Sequence, residues 1–312
     1  MTTASHRSES ICALLPAFNE AENLPEVVDE LAATLRRHFA RWRILVVDDG
    51  STDETNVVVA ELQQRYEQLE AIHLRVNRGK SNALRVGFES IREDLVVLLD
   101  ADGQDEPGEI SSLLETLDMG HDLVTGCRSV RMDRFVKRTT SRIYNRATST
   151  LTGVDGQDFN SGFKLMRREV AESINLYGEL HRYIPVLAAW LGFRVTEVTV
   201  NHRDRLHGVS KFGRSRFWRG MLDLLTVKFL TTYDRRPFHL IGGAGLGVGA
   251  VGSGLLLWML VERLAGHGVG DRPALLAGVT LVVVGVQLVS VGLLAELFLH
   301  LHHERRRGLD RN

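Results

Sequence analysis

The chain has 312 residues, 44% of them hydrophobic and 25% charged, with a formal net charge of −1. That length admits one large domain and a smaller element, and the only two cysteines, Cys12 and Cys127, neither in a CxxC pattern, exclude a disulfide framework. The net charge says little about partners because the charges are unevenly spread: Met1 to Pro237 is charged throughout, whereas Phe238 to His303 is almost wholly apolar.

Residues 1–10 form a polar tail. The apolar run after it, Ile11 to Phe18, is short and broken by Pro16, so it does not read as an export signal. The first 237 residues are therefore expected to stay on the side of the membrane where they are made. Continuous apolar runs follow at Ile11–Leu15, Arg43–Val47, Ala71–Leu74 and Leu95–Leu99, with helical patterns between them at Glu22–His38, Thr52–Glu67 and Ser81–Ile91. Short Val/Ile/Leu-rich strands separated by helices predict a parallel sheet covered on both faces, with ligands at the carboxyl ends of its strands. A less regular stretch, Gly120 to Arg205, is expected to hold a strand at Asp122–Cys127 and a helix at Arg134–Leu151. A turn at Gly153–Gly156, the segment Asp158–Met166 and a strand at Val195–Val200 complete it.

Residues 214–237 contain an amphipathic pattern, Phe217, Met221, Leu224 and Leu225 among Arg214, Arg216 and Arg219, which suits a helix lying in a membrane interface. Two apolar stretches, Phe238–Val261 and Ala274–Leu301, are each long enough to cross a bilayer. Lys228, Arg235 and Arg236 before them and Arg305–Arg307 after them outnumber Arg263 and Arg272 between them, so both termini and the catalytic domain are expected in the cytoplasm. Residues 304–312 would be a basic tail. Gly247, Gly249 and Gly252 match a dinucleotide-binding GxGxxG, but they lie inside an apolar stretch, where glycines serve close helix packing instead. Glu296 and Gln287 are costly in lipid and are expected to face a partner helix or a second subunit, leaving room for a homo-oligomer built through these helices.

The chemistry is expected at the strand ends. Strand one runs into Pro16-Ala17-Phe18-Asn19-Glu20, strand two into Asp48-Asp49-Gly50-Ser51-Thr52-Asp53, and strand four into Asp100-Ala101-Asp102-Gly103-Gln104. Two carboxylates spaced as Asp100 and Asp102 are common in surface turns. Their place beside Asp48, Asp49 and Glu20 makes a hard-cation site the expected reading, since Mg²⁺ or Mn²⁺ takes few protein oxygens and completes its shell with phosphate. Asp49 and Glu20 suit hydrogen bonds from a nucleoside, whereas Ser51 and Asp53 read as helix caps. Asn77-Arg78-Gly79-Lys80-Ser81 enters a helix and offers backbone N–H groups to phosphate, without the spacing of a P-loop. Arg203, Arg205, Lys211, Arg214, Arg216 and Arg219 form a basic run. Arg205 and Lys211 flank a glycine turn and suit phosphate, and nucleic acid is not expected next to a membrane hairpin.

Six segments in order, Leu14–Leu24, Val46–Thr55, Asn77–Leu84, Leu98–Pro107, Asn160–Arg168 and His202–Gly213, resemble family 2 glycosyltransferases of the GT-A fold, and among them the polyprenyl-phosphate glycosyltransferases. The resemblance covers about Ile11 to Gly213, taken as the catalytic domain, and extends to the C-terminal hairpin. It implies a mixed, mostly parallel sheet, a nucleotide-sugar donor and a polyprenyl phosphate acceptor. Pro16, Phe18, Glu20, Val47 and Asp49 would line the nucleoside pocket, and Asp100 and Ala101 would contact the donor. Asp102 and Gln104, with Asp100 beside them, would hold the metal. Arg128, Arg205 and Lys211 would bind diphosphate and acceptor phosphate, and Asp158 is the nearest match to the acidic residue before the GF(K/R)L segment. The hexose would move with inversion from a donor of GDP-mannose or UDP-glucose type. Alternatives are another lipid or polysaccharide acceptor, against which the QxxRW segment of processive synthases is missing, and a non-catalytic membrane scaffold.

Overall fold

The computed structural model describes residues 6–128, 161–203, 237–266 and 273–309, the last with side chains to Phe298. The expected helix Arg134–Leu151, the turn Gly153–Gly156, the interfacial helix Arg214–Thr232 and the candidate residues Asp158, Arg205 and Lys211 lie outside the described residues. The chain divides into two units, Met1–Val227 and Lys228–Asn312.

In the first unit, strands β1 (Ile11–Ala17), β2 (Trp42–Asp48), β3 (Leu69–His73) and β4 (Leu95–Leu98) alternate with helices α1 (Leu24–His38), α2 (Thr55–Arg65) and α3 (Lys80–Glu89). Then follow α4 (Ile110–Asp118), β5 (Leu123–Arg128), β6 (Lys164–Arg167), α5 (Arg168–Ser173), α6 (Ile184–Trp190) and β7 (Val195–Val200). The seven strands form one sheet in the order β3-β2-β1-β4-β6-β5-β7. Pairing is parallel from β3 through β4, as the buried apolar runs require. Only β6 runs antiparallel, to both β4 and β5.

Side-chain alternation explains why these strands are apolar on consecutive residues. Ile11, Ala13, Leu15, Ile44, Val46, Leu95 and Val97 pack on one face against Leu24, Val28, Leu31 and Leu35 of α1 and Ile110 and Leu113 of α4. Cys12, Leu14, Leu45, Val47, Val96 and Leu98 pack on the other, against Ala83, Leu84 and Phe88 of α3, Val170 of α5 and Ile184 and Leu187 of α6. Both faces are thus buried, and a period of two yields a continuous apolar run only in that case. Both cysteines are free, Cys12 in the core, where burial above all pushes its thiol up to about 12.

The strand order reverses next to β1: the chain steps outward to β3, then returns to lay β4 on β1's other side. The carboxyl edge of the sheet at such a reversal is where open α/β sheets bind ligands. The site's position therefore follows from topology.

The second unit is a pair of helices, α7 (Pro237–Leu264) and α8 (Pro273–Leu309). Each contains an apolar stretch long enough to cross a membrane, Phe238–Leu264 and Pro273–Phe298, and among the described residues few of either are buried. The helices meet along glycines. A Cβ on Gly245 would stand 2.8 Å from the Gly285 carbonyl, one on Gly252 2.8 Å from that of Gly278, and one on Gly285 2.7 Å from the backbone nitrogen of Gly249. The apparent dinucleotide motif is therefore a packing seam, with Gly249 and Gly252 turned to α8 and Gly247 turned away from it. Glu296 accepts a hydrogen bond from the Phe238 backbone N–H (3.2 Å), so its partner is the start of α7. Gln287, by contrast, is exposed among the described residues. Helix α8 continues past the expected Leu301 to Leu309 and takes in Arg305–Arg307 of the basic tail.

Candidate active site at the carboxyl edge of the sheet

A crevice of about 260 Å³ opens at the carboxyl ends of β1, β2 and β4, lined by Pro16, Phe18, Glu20, Asp49, Lys80, Asp100, Ala101 and Asp102 together with Ala17, Asn77, Gly79 and Ala83. Seven of the expected site residues are thus brought together. A larger hollow, about 420 Å³, lies at the amino ends of the strands beside Ser10, Trp42 and Gln68, where no paired carboxylates face one another.

The loop after β1 turns sharply at Asn19, which adopts φ 56°, a left-handed conformation unusual outside glycine. Cross-loop hydrogen bonds hold it: Asn19 N–H donates to Ser51 Oγ (2.9 Å), and Thr52 N–H donates to Asn19 Oδ1 (2.8 Å). Ser51 in turn donates to Asp48, whose buried carboxylate also meets His73 Nδ1 at 3.3 Å. Asp53 accepts from the Thr55 hydroxyl (2.5 Å) and from the N–H of Thr55 (3.0 Å) and of Ala21 (3.4 Å); burial pushes its carboxyl up, but these bonds, the hydroxyl's first, hold it below the ordinary value. Ser51 and Asp53 are therefore braces between two loops, and the N-cap position of α2 is Glu54, with no side-chain cap bond. Gly50 is required here twice over: its φ is 72°, and a Cβ would stand 2.8 Å from the backbone of Val76 and Asn77.

Asp49 is buried, and its carboxylate accepts the N–H groups of Arg78 (2.9 Å) and Gly79 (2.7 Å). This corrects the expected phosphate cradle, because those two N–H groups are already taken by a carboxylate within the chain. What the loop presents to the crevice is the side chain of Lys80, at the first turn of α3, and it pairs with Asp100 Oδ1.

Asp100 is held from both sides. Lys80 meets one carboxylate oxygen, and a Cβ on Gly162 would stand 2.6 Å from the other. Burial pushes the carboxyl up, but Lys80 above all, with Lys164 adding to the pull, holds Asp100 below the ordinary carboxylate range. Lys164 is itself buried and donates from Nζ to the Ser161 carbonyl. Asp102, 8% exposed, accepts the Gln104 backbone N–H at 3.2 Å, which closes the Asp-Ala-Asp turn. Asp105 fixes the turn from behind, accepting the Asp100 N–H (3.4 Å) and meeting His202 Nδ1 (3.4 Å). The Arg203 N–H donates to the Gln104 carbonyl (2.9 Å) and so ties Arg203 to this turn.

Among the described residues no group of three or more His, Cys, Asp or Glu is gathered for a metal. Asp100 and Asp102 at one turn still fit a cation that takes one or two carboxylates and fills its shell from phosphate and water. Val47 departs from its expected role: it is fully buried beneath α3 and does not line the crevice. Arg128 closes β5 opposite Val200, on the same edge of the sheet but outside the crevice lining.

Two residues were not foreseen. Lys80 lay in a segment noted only for its backbone groups. His181, at the start of a short helical turn (Leu180–Tyr183), is bonded to Ser81 beside Lys80. Burial first, then Lys80 and Arg182, hold the imidazole well below its ordinary pKa against the opposing pull of Asp100, so it is neutral at pH 7. Neither link could be read locally, because the partners are 20 and 100 residues away.

The sheet order and acidic turns are those of a glycosyltransferase of the GT-A fold. Glucosyl-3-phosphoglycerate synthase from Mycobacterium tuberculosis, solved with Mn²⁺, uridine-diphosphate-glucose and phosphoglyceric acid, shares this fold. Its TM-score is 0.56 at 19% identity over 72% of this chain and 80% of that one. The chain belongs to glycosyl transferase family 2, whose model matches residues 12–174. It is 35% identical to dodecaprenyl-phosphate galacturonate synthase of Rhizobium johnstonii over 93% of this chain and 88% of that protein. It is also 33% identical to undecaprenyl-phosphate 4-deoxy-4-formamido-L-arabinose transferase of Pseudomonas fluorescens, over 92% and 84% respectively.

Proposed function

We propose that this glycosyltransferase moves a sugar from a nucleoside diphosphate donor to a polyprenyl phosphate, with inversion at the anomeric carbon. The observation that carries this reading is the crevice at the switch point. Its lining brings together Glu20 and Asp49, suited to a nucleoside, with Lys80 and Asp102, suited to a diphosphate. The acceptor class is supported by two relatives, both named for polyprenyl-phosphate products or substrates and matched over nearly the whole chain. Two apolar helices agree with an acceptor whose hydrocarbon tail resides in a bilayer.

In the reaction, an acceptor phosphate oxygen attacks the anomeric carbon. The bond from that carbon to the donor diphosphate breaks, and the nucleoside diphosphate leaves with the electron pair. A phosphate monoester is largely dianionic at neutral pH, its second pKa being about 6, so no proton has to be removed first. Asp158 would therefore orient the acceptor rather than deprotonate it. Lys80 neutralises charge on the departing diphosphate, and Arg205 and Lys211 would hold the two phosphate groups. Asp102 and Gln104, with Asp100 adjoining, would hold Mg²⁺ or Mn²⁺, which when bound supplies further charge neutralisation to the leaving group. Because Asp100 is already paired with Lys80, Asp102 is the principal cation ligand in this reading.

The excess of basic residues flanking the hairpin supports a topology with both termini and the catalytic domain in the cytoplasm. Gly243, Gly247 and Gly254, where among the described residues a Cβ would meet nothing within 4 Å, leave a small-residue face on α7 suited to a homo-oligomeric contact.

The test is to incubate membranes containing the protein with labelled UDP- and GDP-sugars and polyprenyl phosphate, with Mn²⁺ or with EDTA. Label should enter an organic-soluble, mild-acid-labile product only when metal is present. Label confined to an acid-stable glycolipid or to polysaccharide would refute the acceptor, and equal transfer in EDTA would refute the metal.

A further inference from the structure

Lys80 can neutralise a diphosphate only if the first turn of α3 is fixed, and the helix does not fix itself. Its N-cap position is Gly79, which offers no side-chain cap bond. From one side the turn is held by Asp49, through the N–H groups of Arg78 and Gly79. From the other it is held by His181. Ser81, 1% exposed, receives the His181 backbone N–H on its Oγ (3.1 Å), and the same Oγ lies 2.9 Å from His181 Nδ1. A serine oxygen that accepts one bond still has its own proton to donate, and in that arrangement the imidazole accepts at Nδ1 and carries its hydrogen on Nε2. Lys80 sits in sequence between these two anchors, Gly79 and Ser81.

We propose that His181 is a positioning residue of the transfer reaction: by latching Ser81 it fixes the first turn of α3, and so holds Lys80 where the donor diphosphate binds. The proposal rests on the reading of the crevice as the donor site. Its role is geometric, since the ring does not line the crevice.

The experiment is a double-mutant cycle on the full-length protein in detergent, read as the Kd for UDP and GDP and as donor KM and kcat. Losing one buried hydrogen bond is a factor of about five to ten. His181→Ala should therefore raise the nucleotide Kd and donor KM by about that factor, and Ser81→Ala should do the same. His181→Asn, whose amide oxygen accepts near the place of Nδ1, should recover most of the loss. In a Lys80→Met background, His181→Ala should add little further, because its effect passes through Lys80. Full additivity in that background, no recovery by asparagine, or unchanged affinity in His181→Ala would each overturn the latch. Failure of the donor-site reading looks different: Lys80→Met would then leave nucleotide affinity unchanged. If His181→Ala does not fold, Ser81→Ala and His181→Asn carry the same comparison.

Discussion

Replacing Gly162 with alanine tests the site with the least chemical disturbance. The residue does not occupy the left-handed region, so a methyl group adds no backbone strain and only its volume matters. That methyl would stand 2.6 Å from one Asp100 carboxylate oxygen, 2.7 Å from its carbon and 2.8 Å from the other oxygen. Ordinary contact lies near 3.5 Å, so the carboxylate has to retreat by roughly 0.8 Å. Gly162 itself lies between the buried Ser161 and Phe163 just before β6, which opposes a shift of its backbone. The retreat pulls Asp100 off Lys80. Overpacking of this kind costs about 1–3 kcal/mol, and displacing a positioning group by about 1 Å lowers rates on the order of 100-fold. Turnover of the labelled nucleotide sugar should fall by about that factor, with a melting temperature lower by roughly 2–4 °C per kcal/mol. Gly108→Ala, where a Cβ meets nothing within 4 Å, should be silent in both assays. In an Asp100→Ala background the clash vanishes and Gly162→Ala should no longer lower the melting temperature. A Gly162→Ala enzyme with native turnover and melting would refute the close packing of Asp100 from which the site is built.

Gly285→Leu should separate the hairpin helices, because a Cβ there would stand 2.7 Å from the Gly249 nitrogen, whereas Gly247→Leu should not; cysteine cross-linking between α7 and α8 in membranes distinguishes them. Glu296→Ala should lower hairpin stability by about 1 kcal/mol, the usual loss of a helix cap, while Glu296→Gln keeps an acceptor for the Phe238 N–H; thermal unfolding in detergent checks both. Glu93 has burial working against its charge, but Arg43, 2.8 Å away, holds its carboxyl below the ordinary value. A depressed carboxyl stabilises the fold above its unfolded pKa of about 4.3 and loses that contribution as pH falls through the folded value. Glu93→Gln should therefore be less stable than wild type at pH 7, and the gap should close in denaturation curves taken below about pH 4.

The strands were legible to within a few residues, because burial on both faces makes each one a continuous apolar run. The helix starts were less so: α1 begins at Leu24 rather than Glu22, and α2 at Thr55 rather than Thr52. In both cases polar residues with cap-like identity are used across the loops instead, Ser51 by Asn19 and Asp48, Asp53 by Ala21. The antiparallel β6 was hidden for another reason. The segment Lys164–Arg167 is short and carries a charge at each end, yet Lys164 is buried and its charge is met by the Ser161 carbonyl beside it. Charge alone therefore misreports burial there.

The acidic turns show the same limit in the site itself. Residue type and position at the strand ends sufficed to gather Glu20, Asp49, Asp100 and Asp102 around one crevice. They did not reveal which groups remain for a ligand, because that depends on bonds made over long sequence distances. Asp49 takes two N–H groups that a glycine turn would otherwise offer to phosphate. An anion at this loop therefore meets a side-chain ammonium rather than a backbone cradle. Asp100, as the counter-ion of that ammonium, keeps Lys80 directed into the crevice. In the proposed reaction Lys80 would exchange the Asp100 carboxylate for a donor diphosphate, which needs less reorganisation than recruiting a lysine from solvent.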